Sequence, residues 1–136
     1  MSRLLCLSLP LLAAFPALSQ TRVTPEEYGA LAAGRTLHYS HRGQPFGAEQ
    51  YLGGNRTLWR FNTGACSSGK WFADGQNVCF SYEGSPRTLC WAFLKSGEHM
   101  RAFLLPGPDT PEQEFALDLS HIDDEPLACP GPDVGM

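Results

Sequence analysis

The chain has 136 residues, five cysteines and a formal net charge of −4, with 43% of its residues hydrophobic. This is enough for one domain with a single core. The acidic balance speaks against nucleic-acid binding, because no basic stripe exists to neutralise phosphates.

Met1-Ser2-Arg3 leads into an apolar run from Leu4 to Ala14, followed by Phe15-Pro16-Ala17-Leu18-Ser19. A basic start, an apolar centre and a small-x-small exit predict a signal peptide over residues 1–19, cleaved before Gln20. The run is shorter than the ~20 residues a membrane helix needs, and Pro10 and Pro16 interrupt it. No second long apolar run follows, so no membrane span is expected. The expected product is a single disulfide-stabilised β domain of residues 20–136, periplasmic or secreted, with an acidic C-terminal tail. Without Arg3 it carries nine Lys and Arg against fourteen Asp and Glu, a net charge of −5. Eight of the acids fall from Asp109 onward, which reads as a solvated surface.

Cys6 leaves with the leader, and Cys66, Cys79, Cys90 and Cys129 remain. An even set behind an export signal predicts two disulfides, with three connectivities open. Zinc sites place cysteine pairs two to four residues apart, whereas these are separated by 13, 11 and 39.

Thr24-Pro25-Glu26-Glu27 predicts a helix over 25–33: Thr24 caps it, Pro25 suits the first position and Gly34 stops it. Tyr28, Leu31 and Ala32 fall on one face, and so short a helix must dock to persist. Strands are expected at 36–41, 45–52, 56–62, 69–73, 76–83, 87–95, 99–105 and 112–118. Turns at Arg42-Gly43, Gly53-Gly54-Asn55, 63–69, Asp74-Gly75, 84–86, Ser96-Gly97 and 106–108 separate them. This spacing predicts a mainly β fold, an antiparallel up-and-down meander of seven or eight strands with one short N-terminal helix. Closure into a small barrel or curved sheet would remove exposed edges, and a two-sheet sandwich is the alternative.

A turn centred on Gly84-Ser85 would set Cys79 opposite Cys90, Val78 opposite Trp91 and Phe80 opposite Leu89. Cys79–Cys90 is then the expected disulfide, leaving Cys66–Cys129 to tie the tail to the mid-chain loop. One face of that hairpin becomes an aromatic core surface with Phe80, Tyr82, Trp91 and Phe93.

Three tryptophans, Trp59, Trp71 and Trp91, recur among the phenylalanines, as a ligand-binding calyx or an ordinary β core would have them. His38 and His41 form H-x-x-H, but residues three apart on a strand point to opposite faces, and neither His99 nor His121 obviously completes a metal set. Ser40, Ser67, Ser68, Ser81 and Ser85 lack a nucleophile-elbow context. Glu49, Asp74 and Glu83 are carboxylates without a visible partner, and Asp74 suits a turn. Asn55-Arg56-Thr57 is a glycosylation sequon on a turn. The expectation is therefore no catalytic, cofactor or metal residues.

Gly34-Arg35-Thr36-Leu37, Glu49-Gln50-Tyr51, Trp59, Cys66, Gly69-Lys70-Trp71, Cys79-Phe80-x-Tyr82 and Cys90-Trp91 together resemble small exported proteobacterial proteins of the domain-of-unknown-function 995 type. The likeness covers residues 24–95, with Arg35 where that family often has Lys. It implies a bacterial periplasmic home and no assigned activity or functional residues. The expected function is a non-enzymatic β domain that binds a small apolar ligand or a protein partner. The alternatives are an inhibitor of a secreted hydrolase, like the lysozyme inhibitors, and a small hydrolase. A cavity lined by Trp and Phe would favour the first; a protruding Asp123-Asp124-Glu125 loop would favour inhibition of a basic enzyme.

Overall fold

A computed structural model describes residues 10–15, 19–108 and 114–129. Its elements run β1 (Thr21–Arg22), α1 (Pro25–Ala32), β2 (Thr36–His41), β3 (Gln44–Tyr51), β4 (Arg56–Phe61), β5 (Cys66–Asp74), β6 (Asn77–Tyr82), β7 (Thr88–Ser96), β8 (His99–Leu104) and β9 (Ala116–Asp123). Consecutive strands from β2 to β9 pair antiparallel, and β9 pairs back onto β2. The eight strands therefore form a closed up-and-down barrel, which leaves no unpaired edge around its girth. The sandwich alternative is excluded by this closure. β1 is an extra strand on β7, with Thr21 opposite Lys95 and Arg22 opposite Leu94, where β6 has already ended.

The local chemistry explains the turns. Asp74-Gly75 joins β5 to β6, and Gly75 takes φ 58°, a conformation open to glycine at little cost. The β6–β7 hairpin pairs Val78 with Trp91, Cys79 with Cys90 and Phe80 with Leu89. Cys79 is bonded to Cys90 and Cys66 to Cys129, with Cα separations of 4.0 and 5.3 Å.

Two strands differ from the sequence expectation by more than one residue at an end. β5 starts at Cys66, inside the stretch read as a 63–69 turn, because Cys66, Ser67 and Ser68 pair with Arg60, Trp59 and Leu58. β9 runs Ala116–Asp123 rather than ending at 118 (residues 112 and 113 lie outside the described ones). Its apolar positions, Leu117, Leu119 and Ile122, break the two-residue alternation. A register shift opposite His38/Tyr39 leaves Ser120 without a ladder partner and restores Leu119 and Ile122 to one face. The C-terminal acids are consequently not one solvated tail: Asp118 and Asp123 belong to β9.

α1 covers one end of the barrel. Thr24 Oγ1 accepts a hydrogen bond from Glu27 N at 3.1 Å, and the helix stops before Gly34 at φ 70°. Tyr28 is fully buried, its ring 4.3 Å from Phe93 and 6.0 Å from Trp71, centroid to centroid. Burying a side chain of this size stabilises the docked helix by about 2 kcal/mol or more, which its eight residues could not supply alone. Beyond β9 the chain crosses the outside of the barrel as a strap. Thr36 Oγ1 donates to Glu125 O, Leu127 N to Gln50 Oε1 and Arg60 Nη1 to Ala128 O, before Cys129 reaches Cys66.

Candidate functional site: an aromatic calyx with a buried carboxyl

Alternation along each strand sends one set of side chains into the barrel. Because α1 occupies only one end, the interior is not filled. A cavity of about 370 Å³ remains, lined by Phe46, Trp59, Phe80, Trp91, Phe93 and Phe115 among others. Its mouth lies at the end away from α1, where Phe61, Gly84, Ser85, Leu104 and Phe115 line it at the ends of β4, β6 and β8 and just before β9. Phe46 packs against Trp59, Phe61 and Phe115 at 5.6 to 6.0 Å between ring centroids, making an aromatic collar.

The polar end of the cavity is built from β2, β3, β6 and α1. Glu49 on β3 points inward and is 2% exposed. The Tyr82 hydroxyl lies 3.0 and 2.9 Å from its two carboxyl oxygens and donates to them. Tyr28, Tyr39 and Tyr51 join in a second cluster: the Tyr28 hydroxyl is 3.2 Å from that of Tyr39 and in close hydrogen-bond contact with that of Tyr51. These four are all the tyrosines of the chain, and all four line the cavity with Glu49.

Burial pushes the Glu49 carboxyl up to about 8, against the Thr57 and Tyr82 hydroxyls, which favour its charged form. The Thr57 hydroxyl is itself buried and sits outside hydrogen-bond geometry, so Tyr82 is the stronger partner. Burial likewise raises the phenols of Tyr28, Tyr39, Tyr51 and Tyr82, and the nearby Glu49 charge adds to each. At neutral pH the interior is therefore mainly uncharged, holding one carboxylic acid and four phenols as hydrogen-bonding groups in an apolar cup.

Two glycines make room for this arrangement. A Cβ on Gly69 would stand 2.6 Å from the Tyr82 ring and 2.8 Å from Ser81 O. A Cβ on Gly47 would stand 2.5 Å from the Trp59 ring. The aromatic rings lie over the bare backbone of the neighbouring strand, and a side chain there would displace them.

The other residues singled out in the sequence scatter. Asp74 is exposed at its hairpin, and Glu83 is exposed at the calyx mouth. Asn55 takes φ 59° in the β3–β4 turn, where Asn55 and Arg56 are exposed but Thr57, the third residue of the sequon, is buried. Ser67 lines the calyx opposite Trp59, with no histidine among the lining residues. His38 and His41 do not meet: His41 Nδ1 is 3.0 Å from Ala116 O and stacks on Phe115, whereas His38 contacts His121. His99 and Arg101 both hold Asp118, and the Arg101 guanidinium keeps that carboxyl below its ordinary range. Glu49 was visible in the sequence as a carboxylate but not as a buried one. The available signal was its two-residue spacing from Tyr51, which puts both on one strand face.

Comparison with protein-family models, with curated proteins and with solved structures finds no match for this chain.

Proposed function

We propose that the protein is a non-enzymatic exported binding module that takes a small, mostly apolar molecule into its barrel. The observation that carries this reading is the calyx: an aromatic cavity of about 370 Å³, open at one end, with its polar groups gathered around Glu49. That volume lies in the range of small-molecule sites, and a few polar groups in an apolar cup are what orients such a ligand. The inhibitor reading draws less support. Asp123 ends β9 beside His38 and His121, and Glu125 is tied to Thr36, so the segment is strapped to the barrel rather than projecting.

Export is the compartment that suits the domain. Two disulfides persist in oxidising surroundings, and among the described residues no helix is long and apolar enough to cross a membrane. Strand pairing begins at Thr21, just after the expected cleavage point, and Leu11, Leu12 and Phe15 before it are 97%, 92% and 89% exposed. The resemblance to the domain-of-unknown-function 995 proteins would make that compartment the bacterial periplasm.

The test is titration of the disulfide-intact protein with an anilinonaphthalene sulfonate dye and a panel of small aromatic and aliphatic compounds, read by tryptophan quenching from Trp59 and Trp91. Saturable binding of at least one compound at one equivalent is expected. Absence of any saturable binding across the panel would remove the proposal.

A further inference from the structure

The outer face of β2 and β9 carries a second cluster that the calyx does not use. His38 and His121 are directly opposed across the antiparallel pair, and their rings stack 4.0 Å apart at an interplanar angle of 9°. Asp123 lies two residues beyond His121, on the same face of β9. Its Oδ2 is 2.9 Å from His38 Nε2 and 3.6 Å from His121 Nε2, and the three donor atoms all lie within 4.8 Å of one another. We propose that His38, His121 and Asp123 form a binding site for a divalent transition-metal ion of the zinc class.

Three observations converge on this. The first is spacing. Two ligands at about 2.0 Å from a tetrahedral ion stand about 3.3 Å apart, and the two nitrogen–oxygen distances here, 2.9 and 3.6 Å, bracket that value. The second is direction. His38 Nε2 is buried yet makes no hydrogen bond, because the carboxylate oxygen beside it lies off the line a ring N–H would need. A shared ion would satisfy that nitrogen through its in-plane lone pair; because the stacked rings lie only 9° from parallel, the exposed His121 ring turns out of the stack to aim its own lone pair at the same ion. The third is donor type. Two imidazole nitrogens and one carboxylate suit Zn²⁺, Cu²⁺ or Ni²⁺, whereas Ca²⁺ and Mg²⁺ take oxygen ligands. The His121 side chain is 60% exposed, so water can complete the coordination. The nearest rival cluster, Asp74 with Cys79 and Cys90, has both sulfurs consumed by their disulfide.

The alternative is a plain pair of histidine–carboxylate contacts, like that of His99 with Asp118 on the neighbouring surface. Titration of the disulfide-intact chain with Zn²⁺ against a chromophoric chelator separates the two. One equivalent is expected to bind and to survive millimolar Ca²⁺ and Mg²⁺. His121→Ala and Asp123→Ala should each weaken binding at least about tenfold, since loss of even an outer partner of a metal ligand costs that much. His99→Ala should leave it unchanged. Both altered side chains are partly exposed, so an unchanged circular dichroism spectrum is expected and confirms that the variants fold. No binding by the parent chain, or equal binding by His121→Ala and Asp123→Ala, would overturn the site.

Discussion

Tyr82 on β6 reaches through the barrel interior to Glu49 on β3, its hydroxyl oxygen 2.9 Å from Oε2 and 3.0 Å from Oε1. This single donor is set against near-complete burial of a carboxyl group, and burial prevails: the carboxyl is pushed up to about 8. A folded-state value above the unfolded one means that, in between, the native chain keeps a proton the unfolded chain has lost. Stability should therefore be complete at pH 4 and fall as the pH rises from about 4.5 towards 8. Glu49→Gln removes the titration. Urea unfolding at pH 5 and pH 9 should show the parent losing roughly a few kcal/mol between them, with the variant nearly level. Asp118 has the opposite sign, and its contribution disappears only on acidification through its own lowered range, outside this window. An equal pH slope in parent and variant would refute the assignment to Glu49.

Gly69 is the backbone partner of Tyr82 in the β5–β6 ladder. A Cβ there would meet both the Tyr82 ring at 2.6 Å and the rigid Ser81 carbonyl at 2.8 Å, so the ring alone cannot relieve the clash. Gly69→Ala should destabilise the fold by about 1–3 kcal/mol, in the range of overpacking. Because Glu49 stays buried, its pH slope should persist beneath that loss, and denaturation at two pH values reads both effects.

How much of this was legible in the sequence depended on distance along the chain. The β6–β7 hairpin is local: a tight turn sets the register, and Cys79 opposite Cys90 follows from it. Closure of β9 onto β2 joins segments some eighty residues apart, with no turn to announce it. The bulge at Ser120 further hid β9 by breaking its apolar alternation. The same closure brings His121 to His38; the sequence had rightly set His38 and His41 on opposite faces but carried no signal for this long-range partner. Glu49 was misjudged for a different reason. A charged residue in a strand ordinarily faces water, and the hydrogen bond that makes this inward carboxyl tolerable comes from Tyr82 on β6, a strand the sequence does not place beside β3.

Ligand affinity should depend on the aromatic collar at the mouth. Phe46 and Phe115 are only partly buried and sit 5.6 Å apart, so truncation there removes contact area without emptying the main core. Phe46→Ala and Phe115→Ala should each weaken a bound compound by about 1–2 kcal/mol, roughly tenfold in Kd. Ser67→Trp, which fills the cavity opposite Trp59, should abolish binding while the protein remains folded. Tryptophan quenching and calorimetry measure both. Unchanged affinity in all three variants would place the ligand elsewhere.

The two disulfides should differ in both stability contribution and reactivity. Cys66–Cys129 closes 63 residues and Cys79–Cys90 closes 11. Restricting the unfolded chain scales with the logarithm of that length, giving about 4 kcal/mol for the first and about 3 for the second. Accessibility runs the other way. Cys129 is exposed at the end of the strap, whereas Cys79 is fully buried, so thiolate attack reaches the longer loop first. Graded dithiothreitol followed by alkylation and mass analysis should label Cys66 and Cys129 before Cys79 and Cys90. That first reduction frees the strap to pull Leu127 from Gln50 and Ala128 from Arg60 while the barrel strands stay paired. The expected partly reduced species therefore keeps its β circular dichroism but unfolds at markedly lower urea. Simultaneous labelling of all four cysteines would show instead that the strap and the barrel open as one unit.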